Sequence, residues 1–384
     1  MIILKRYVLR ELLGPTLLGL LFFTFLLFVT QIFKLTDILL SDGVNPVLVG
    51  NFALCLLPSL LSFTIPCSIL VGVLISFGRL ATDNEILAMR TSGVHLITIF
   101  KPIIHVGFFV SVLMLILNYA ALPSLTLKSN DYIYQIEFQL FNTLKPGRFY
   151  EDLGSDNAEI TFYFGEREEK TGDLKHIHMK IVASEEQLTG EKKKDKKPPT
   201  ETLLIAERGK ISVDKDTRTI RFHFFNGSLH PIEKDDPTQN NVIFFKELVR
   251  NINPSLSRMK GGVYQKKNKE MTVPELVANV ELNRHKSPKA ANESRVALWQ
   301  RFSNPLACLA FVLIGMPLAV YIRPSGKSSG FAISFALLFV YYVLMKWGSS
   351  LGKVNHPMTP LAVFSPNLVL GCLGGMLIYF QTLK

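Results

Sequence analysis

The tripeptide Gly326-Lys327-Ser328 has the residue types that close a phosphate-binding loop, in which backbone N–H groups and a lysine cradle phosphate oxygens. That chemistry needs a further glycine five positions before Gly326, and Tyr321 stands there. The tripeptide also sits in a short connection between two apolar runs, not between a strand and a helix, so it is not read as a nucleotide site. His176 and His178 are two residues apart, the spacing of one strand face, with no third ligand nearby. They are read as solvated strand residues and not as a metal centre. Cys55, Cys67, Cys308 and Cys372 all fall in apolar runs, which suits buried thiols and neither a disulfide framework nor a zinc site. No Ser/His/Asp set or HExxH pattern is present. The chain is expected to need no cofactor and to catalyse nothing alone.

The polar groups with a readable role lie between Arg79 and Gly93. Thr82 and Glu85 have the spacing of a capping box, Asp83 suits a helix N-terminus, and Gly93 suits a C-terminal cap. The spacing predicts a short helix over about 82–93, with Ile86, Met89 and Arg90 on one face. Two readings of it stand: Glu85 makes a polar contact to a partner whose groove takes the helix, or Glu85 merely caps a helix lying on a membrane surface.

Such a helix must be held by long elements, and the chain supplies them. Leu12–Phe33, Pro46–Gly78, Val106–Leu122, Phe302–Ile322, Phe331–Met345 and Leu361–Leu383 contain no Asp, Glu, Lys or Arg. Most approach the roughly 20 apolar residues that cross a bilayer. Gly43–Gly78 is too long for one straight span and is expected to include an interfacial turn before a tilted, proline-broken helix. With 48% hydrophobic residues and a mean hydropathy of +0.26, the fold class is a polytopic α-helical membrane protein with six transmembrane helices (3+3). The first run is too long for a signal-peptide core and lacks a small-residue cleavage site, so that helix is expected to be retained. The net charge of +11 invites a nucleic-acid reading. The longest basic run, Lys192–Lys197, stands beside Pro198-Pro199 and reads instead as a solvated loop, so no nucleic-acid partner is expected.

Lys5, Arg6 and Arg10, Arg79 and Arg90, and Arg323 and Lys327 mark one membrane face; the opposite short loops carry Asp37 and Asp42, or Lys353 alone. The positive-inside rule then puts both termini in the cytoplasm and the segment between the helix triplets on the far side, the periplasm of a bacterium with two membranes. Period-2 alternation recurs in that insert: Ile160–Phe164, His176–Val182, Thr202–Ala206, Lys210–Val213, Thr219–Phe225 and Asn241–Phe245. Turn signals at Gly172-Asp173, Asp214-Lys215-Asp216, Asn226-Gly227 and Asp235-Asp236-Pro237 separate these runs, which predicts an inserted all-β, jelly-roll-like domain. One helix follows at Val273–Arg284, opened by Thr272 and Pro274. The expected organisation is 1–123 (helices one to three with the short helix), 124–271 (β domain) and 272–384 (linker helix and helices four to six). A secondary transporter would need carboxylates at mid-membrane depth, and these spans have none.

The loop Arg79–Gly93 resembles the coupling helix of the LptF/LptG (YjgP/YjgQ) permease family, the membrane subunits of the lipopolysaccharide exporter. Further similarity lies in Arg301-Phe302-Ser303-Asn304-Pro305-Leu306, Gly315-Met316-Pro317-Leu318-Ala319, Arg323-Pro324-Ser325-Gly326-Lys327, Phe364-Ser365-Pro366-Asn367 and Lys145-Pro146-Gly147-Arg148-Phe149. The likeness covers nearly the whole chain, including its 3 + β domain + 3 layout. Ala297 and Phe364 depart from the family's usual Glu and Trp.

The resemblance implies an ABC-transporter permease subunit in the bacterial inner membrane. It implies pairing with a paralogous LptF/LptG-type subunit, a dimeric cytoplasmic LptB-type ATPase and LptC/LptA-type periplasmic bridge proteins. In that frame Glu85, Ile86, Met89 and Arg90 couple to the ATPase. Lys34, about 33 Å from Leu12 along the helix, and Lys346, about 24 Å from Gly330, are candidate contacts to the lipid's phosphates; the plain alternative is that each lysine snorkels to the interface. Phe162, Phe164, Ile181, Phe222 and Phe224 are candidates for an acyl groove, with Ile177, Met179 and Phe244 on the same expected inward face; ordinary sheet core is the alternative. A different class of function, a non-transporting scaffold whose β domain binds a periplasmic partner, is also compatible with the layout.

Overall fold

The computed structural model describes residues 2–39, 45–150, 158–168, 172–183, 200–214, 219–232, 242–252, 259–260, 263–264, 266–322, 327–354 and 358–383. The basic run at 192–197, the turn signals at 215–216 and 235–237, and Gly326 lie outside them. Among the described residues, helices α1 (Ile2–Leu39), α2 (Pro46–Thr82), α3 (Glu85–Thr91) and α4 (Leu96–Ile116) come first, followed by a π-helical turn (Leu117–Ala121) and α5 (Leu122–Thr143). Helices α6 (Val273–Lys286), α7 (Pro288–Ile322), α8 (Lys327–Val354) and α9 (Thr359–Leu383) close the chain. Six helical stretches among the described residues are long and apolar enough to cross a membrane. The chain divides into a helical unit (1–35, 53–129, 267–384) and a second unit (36–52, 130–266) that carries the sheet.

The helical unit packs around α2, α4 and α7. Leu70, Leu74, Phe77, Ile99, Phe100, Ile103 and Phe311 are buried together, and the rings of Phe77 and Phe100 meet edge-on at 5.5 Å. The expected interfacial turn before the second span is corrected from Pro46 onward: residues 46–82 form one helix through Pro58 and Pro66. At 1.5 Å per residue those 37 residues run about 55 Å. A helix needs only one missing donor per proline to bend, so the two prolines are absorbed without a break. Gly374 of α9 lies so close to α7 that a Cβ there would stand 2.5 Å from the carbonyl carbon and oxygen of Leu313. Only a glycine allows that backbone-to-backbone approach.

The second unit contains a six-stranded antiparallel sheet in sequential order: β1 (Phe149–Tyr150), β2 (Ala158–Arg167), β3 (Leu174–Ala183), β4 (Thr200–Asp214), β5 (Thr219–Ile232) and β6 (Ile243–Ile252). A short hairpin, β7 (Met259–Lys260) with β8 (Val263–Tyr264), follows. Phe162 on β2 and Phe222 on β5 have ring centroids 5.5 Å apart, although two strands separate them in the sheet. In a flat sheet those strands would stand about 14 Å apart. The meander is therefore strongly curled, and its concave face is filled by Phe162, Phe164, Ile177, Met179, Leu204, Phe222 and Phe224.

Three expectations are corrected here. Asn226-Gly227 is not a turn; it lies inside β5. Thr202–Ala206 and Lys210–Val213 are one strand, β4. Phe244 faces outward and is 81% exposed, while Phe245 packs against the core. All three share a cause. Gly165, His176, Glu207, Asn226 and Lys246 stand abreast across β2–β6, and the pairing is interrupted along that row while the register on both sides is unchanged. Two of the row adopt positive φ, His176 at 54° and Asn226 at 52°, a region that Asn and His enter more readily than most residues. The row is a crease that resets the alternation, so Leu174 and Ile177, three positions apart, both face inward. A period-2 reading carried through the crease assigns β6 to the wrong phase.

Candidate functional site

Helix α3 is short, and its two ends are held differently. The expected capping box is absent. Thr82 ends α2 and donates its hydroxyl to the Gly78 carbonyl at 2.9 Å, while Asn84, at φ 57°, occupies the N-cap without a side-chain hydrogen bond. A left-handed N-cap turns the chain between two helices more sharply than the extended cap that a Thr/Glu box requires. The C-terminal expectation holds. Gly93 has φ 84°, its N–H donates to the Arg90 carbonyl at 2.9 Å, and the Val94 N–H donates to Met89 at 3.0 Å. That pair of bonds is a Schellman cap, and Val94 and Met89 both pack against the core as the motif prefers.

Ile86 is 3% exposed and belongs to the core of the helical unit, with Met89 partly buried beside it. Leu87 is 49% exposed, and Arg90 is exposed. The face expected to meet a partner is thus divided: Ile86 and Met89 hold the helix down, while Leu87 and Arg90 are presented. Glu85 is half-buried and accepts a hydrogen bond from the Tyr7 hydroxyl at 2.6 Å. One turn further along α1, Glu11 pairs with Arg79 of α2 at 2.5 Å. Tyr7 and Glu11 lie four residues apart on one helical face, so α1 grips both the end of α2 and the start of α3. No local pattern links positions 78 residues apart, so the sequence gives no sign of Tyr7.

Two motifs separated in sequence meet inside the helical unit. Asn367 of α9 donates to the Ser303 carbonyl at 2.7 Å and to its Oγ at 2.9 Å; Ser303 Oγ donates to the Val363 carbonyl at 2.9 Å. The Tyr341 hydroxyl of α8 completes the set by donating to Asn367 Oδ1 at 3.2 Å. Polar side chains bonded across helices are a means of fixing helix pairs where lipid supplies no hydrophobic drive. Trp299 and Phe364 stack edge-on beside them at 6.1 Å. Arg301, buried, donates through Nη2 to the carbonyls of Asn268 and Lys269, each at 3.3 Å, and to that of Met271. It clamps the turn from which α6 starts, where the Glu275 carboxylate accepts the Thr272 N–H at 2.8 Å. A polar residue within an apolar run was the available sequence signal for Ser303 and Asn367.

Lys34 lies in α1, with its side chain outside the described residues. Lys346 is exposed on α8. Phe162, Phe164, Ile181, Phe222 and Phe224 are brought together, but as a closed core: each is at most 5% exposed. His176 and His178 belong to β3 and both are exposed, His176 at the crease. On the sheet's outer side, at the crease, a hollow of about 770 Å³ is lined by His176, Glu207, Asn226, Lys246 and Phe244.

Comparison with known proteins adds two findings. A family model described as lipopolysaccharide export system permease LptF/LptG matches residues 6–379. A stretch of 153 residues, 38% of this chain, is 26% identical to an uncharacterized protein of Rickettsia prowazekii (strain Madrid E), RP871, and spans 42% of that relative's length.

Proposed function

Because the chain belongs to the LptF/LptG permease family of the lipopolysaccharide export system, we propose that it is one of two paired subunits that extract the lipid from the inner membrane using a separate cytoplasmic ATPase. The observation that carries this is α3. A seven-residue helix pinned from beneath by Ile86, closed by a Schellman cap and tied to α1 through Glu85 is a rigid projection with Leu87 and Arg90 outermost. Force applied to it passes directly into α1 and α2, two long helices of the bundle. The coupling roles divide accordingly. Leu87 and Arg90 meet the ATPase groove, Ile86 and Met89 transmit its push, and Glu85 joins the helix to α1.

On this reading both termini are cytoplasmic and the β domain is periplasmic. Lys34 and Lys346 then lie toward the outer leaflet, where cations suit the phosphates of the lipid. The β domain takes the acyl chains: Phe162, Phe164, Ile181, Phe222 and Phe224 form an apolar interior that lipid reaches when the rims of the curled sheet, β1 and β6, part. Among the described strands β6 pairs only with β5, and Ile243, Phe244 and Val249 are exposed on it. An open edge of that length supports strand addition by an LptC/LptA-type β domain, extending the sheet into a bridge.

The decisive test is co-purification from membranes with the cytoplasmic ATPase, comparing the wild type with Glu85→Ala and Glu85→Lys. Both substitutions are expected to reduce coupled ATPase activity, Glu85→Lys more. Unchanged association and unchanged activity in both would remove Glu85 from the coupling path. For the lipid, a photocrosslinker at position 34 is expected to capture lipopolysaccharide; reaction at neighbouring positions but not at 34 would refute that contact.

A further inference from the structure

Lys5 and Leu9 of α1 and Lys101, Pro102, His105, Val106 and Phe109 of α4 line a cavity of about 600 Å³. It lies on the opposite side of α1 from the grip on α3: at about 100° per residue, Lys5 and Leu9 project about 160° away from Tyr7 and Glu11. The lining is graded. Lys5 and Lys101 are exposed near the helix starts, and neither forms an ion pair among the described residues. His105 Nδ1 is 2.6 Å from the Lys101 carbonyl, so Nδ1–H donates there and Nε2 is left for a ligand. Leu9, Val106 and Phe109 follow four to eight residues deeper, about 6–12 Å along the helices, and Phe109 is 69% exposed.

We propose that this cavity binds the headgroup and first acyl methylenes of an anionic glycerophospholipid. A cationic mouth above an apolar floor fits a phosphate at the interface with hydrocarbon beneath it. Basic pockets between transmembrane helices, at the membrane face where lysine collects, hold such headgroups. Lysines that only snorkel would direct their ammonium groups to bulk water; here two cations from different helices line one cavity together with a histidine. The occupant differs from an exported lipid in its place, since Lys5 and Lys101 lie at the end of the bundle that carries α3. A lipid held there buttresses α1 on the side away from Tyr7, and so steadies the helix that grips α3.

The test uses the full chain in detergent, analysed by native mass spectrometry after addition of phosphatidylglycerol or phosphatidylcholine. The wild type is expected to retain one phosphatidylglycerol at least fivefold more than phosphatidylcholine. Lys5→Ala with Lys101→Ala is expected to abolish that preference, and Lys101→Arg to keep it. Because these side chains are exposed, folding is checked by an unchanged elution volume and an unchanged melting temperature. Equal retention of both lipids, or a preference that survives the double substitution, would overturn the proposal. So would displacement of phosphatidylglycerol by millimolar inorganic phosphate alone, which would make the cavity a free-anion site.

Discussion

Replacing Tyr7 by Phe removes a single oxygen, and with it the bond that joins α1 to α3. The hydroxyl donates to a carboxylate at 2.6 Å, a short charge-assisted bond that in a buried setting is worth about 1.5–3 kcal/mol. Tyr7 is 37% exposed, so solvent screening lowers the expected value to about 0.5–1 kcal/mol. At 25 °C that is roughly a two- to fivefold change in an opening equilibrium. Hydrogen exchange of the amides at 86–94 in the full-length, detergent-solubilised chain measures that opening. Tyr7→Phe and Glu85→Ala are each expected to raise exchange by roughly two- to fivefold, and the double variant no further, because both remove one shared bond. The Glu11–Arg79 pair survives in all three. Additive effects, or no change in Tyr7→Phe, would refute the account of α3 as a helix tied to α1. The same variants separate two roles for Glu85. If it acts through Tyr7, both single substitutions lower coupled ATPase activity alike; if it contacts the ATPase itself, only Glu85→Ala does.

Gly374→Ala is expected to lower the melting temperature of the solubilised protein, since its Cβ meets the Leu313 backbone at an overpacking cost of about 1–3 kcal/mol. Gly375→Ala, with nothing within 4 Å of its Cβ, is expected to have no such effect, and differential scanning fluorimetry compares the two. Asn226→Val forces a β-branched residue to a φ of 52°, costing about 1–2 kcal/mol, whereas Asn226→Gly is tolerated; limited proteolysis of the β domain reads the difference. Arg301→Met leaves the carbonyls of Asn268, Lys269 and Met271 without this donor, an expected loss of about 1–3 kcal/mol at that turn, seen as faster exchange at the N-terminus of α6 with the transmembrane helices unchanged.

Some of this molecule was legible in the chain because its cause is local. Charge-free runs of bilayer length identify six spans, since an uncompensated charge at that depth is costly wherever the helices later pack. Gly93 announces its cap because a left-handed residue after a helix favours glycine, and Thr272 with Pro274 announces the start of α6 because an N-cap and a first-turn proline act locally. Alternation identifies the strands up to the crease. Beyond it the same rule misplaces Phe244, because the phase of β6 depends on a row of five residues on five different strands. The dipeptide that reads as a turn, Asn226-Gly227, stays in the strand because its neighbours on β4 and β6 bend with it.

Residue types alone determined that six apolar spans flank an inserted β domain, and their spacing singled out Glu85; the permease family entered through resemblance, carried in part by the motifs that hold Ser303 and Asn367. Only the tertiary structure decided what those residues do: Glu85 meets Tyr7 rather than its own helix, Ser303 meets Asn367, and the aromatic face of the sheet closes on itself. Hydropathy, capping and alternation act over a few residues and are written in sequence order. Partners 64 or 78 positions apart are chosen by which helix faces come together, and that choice belongs to the packing of the whole unit.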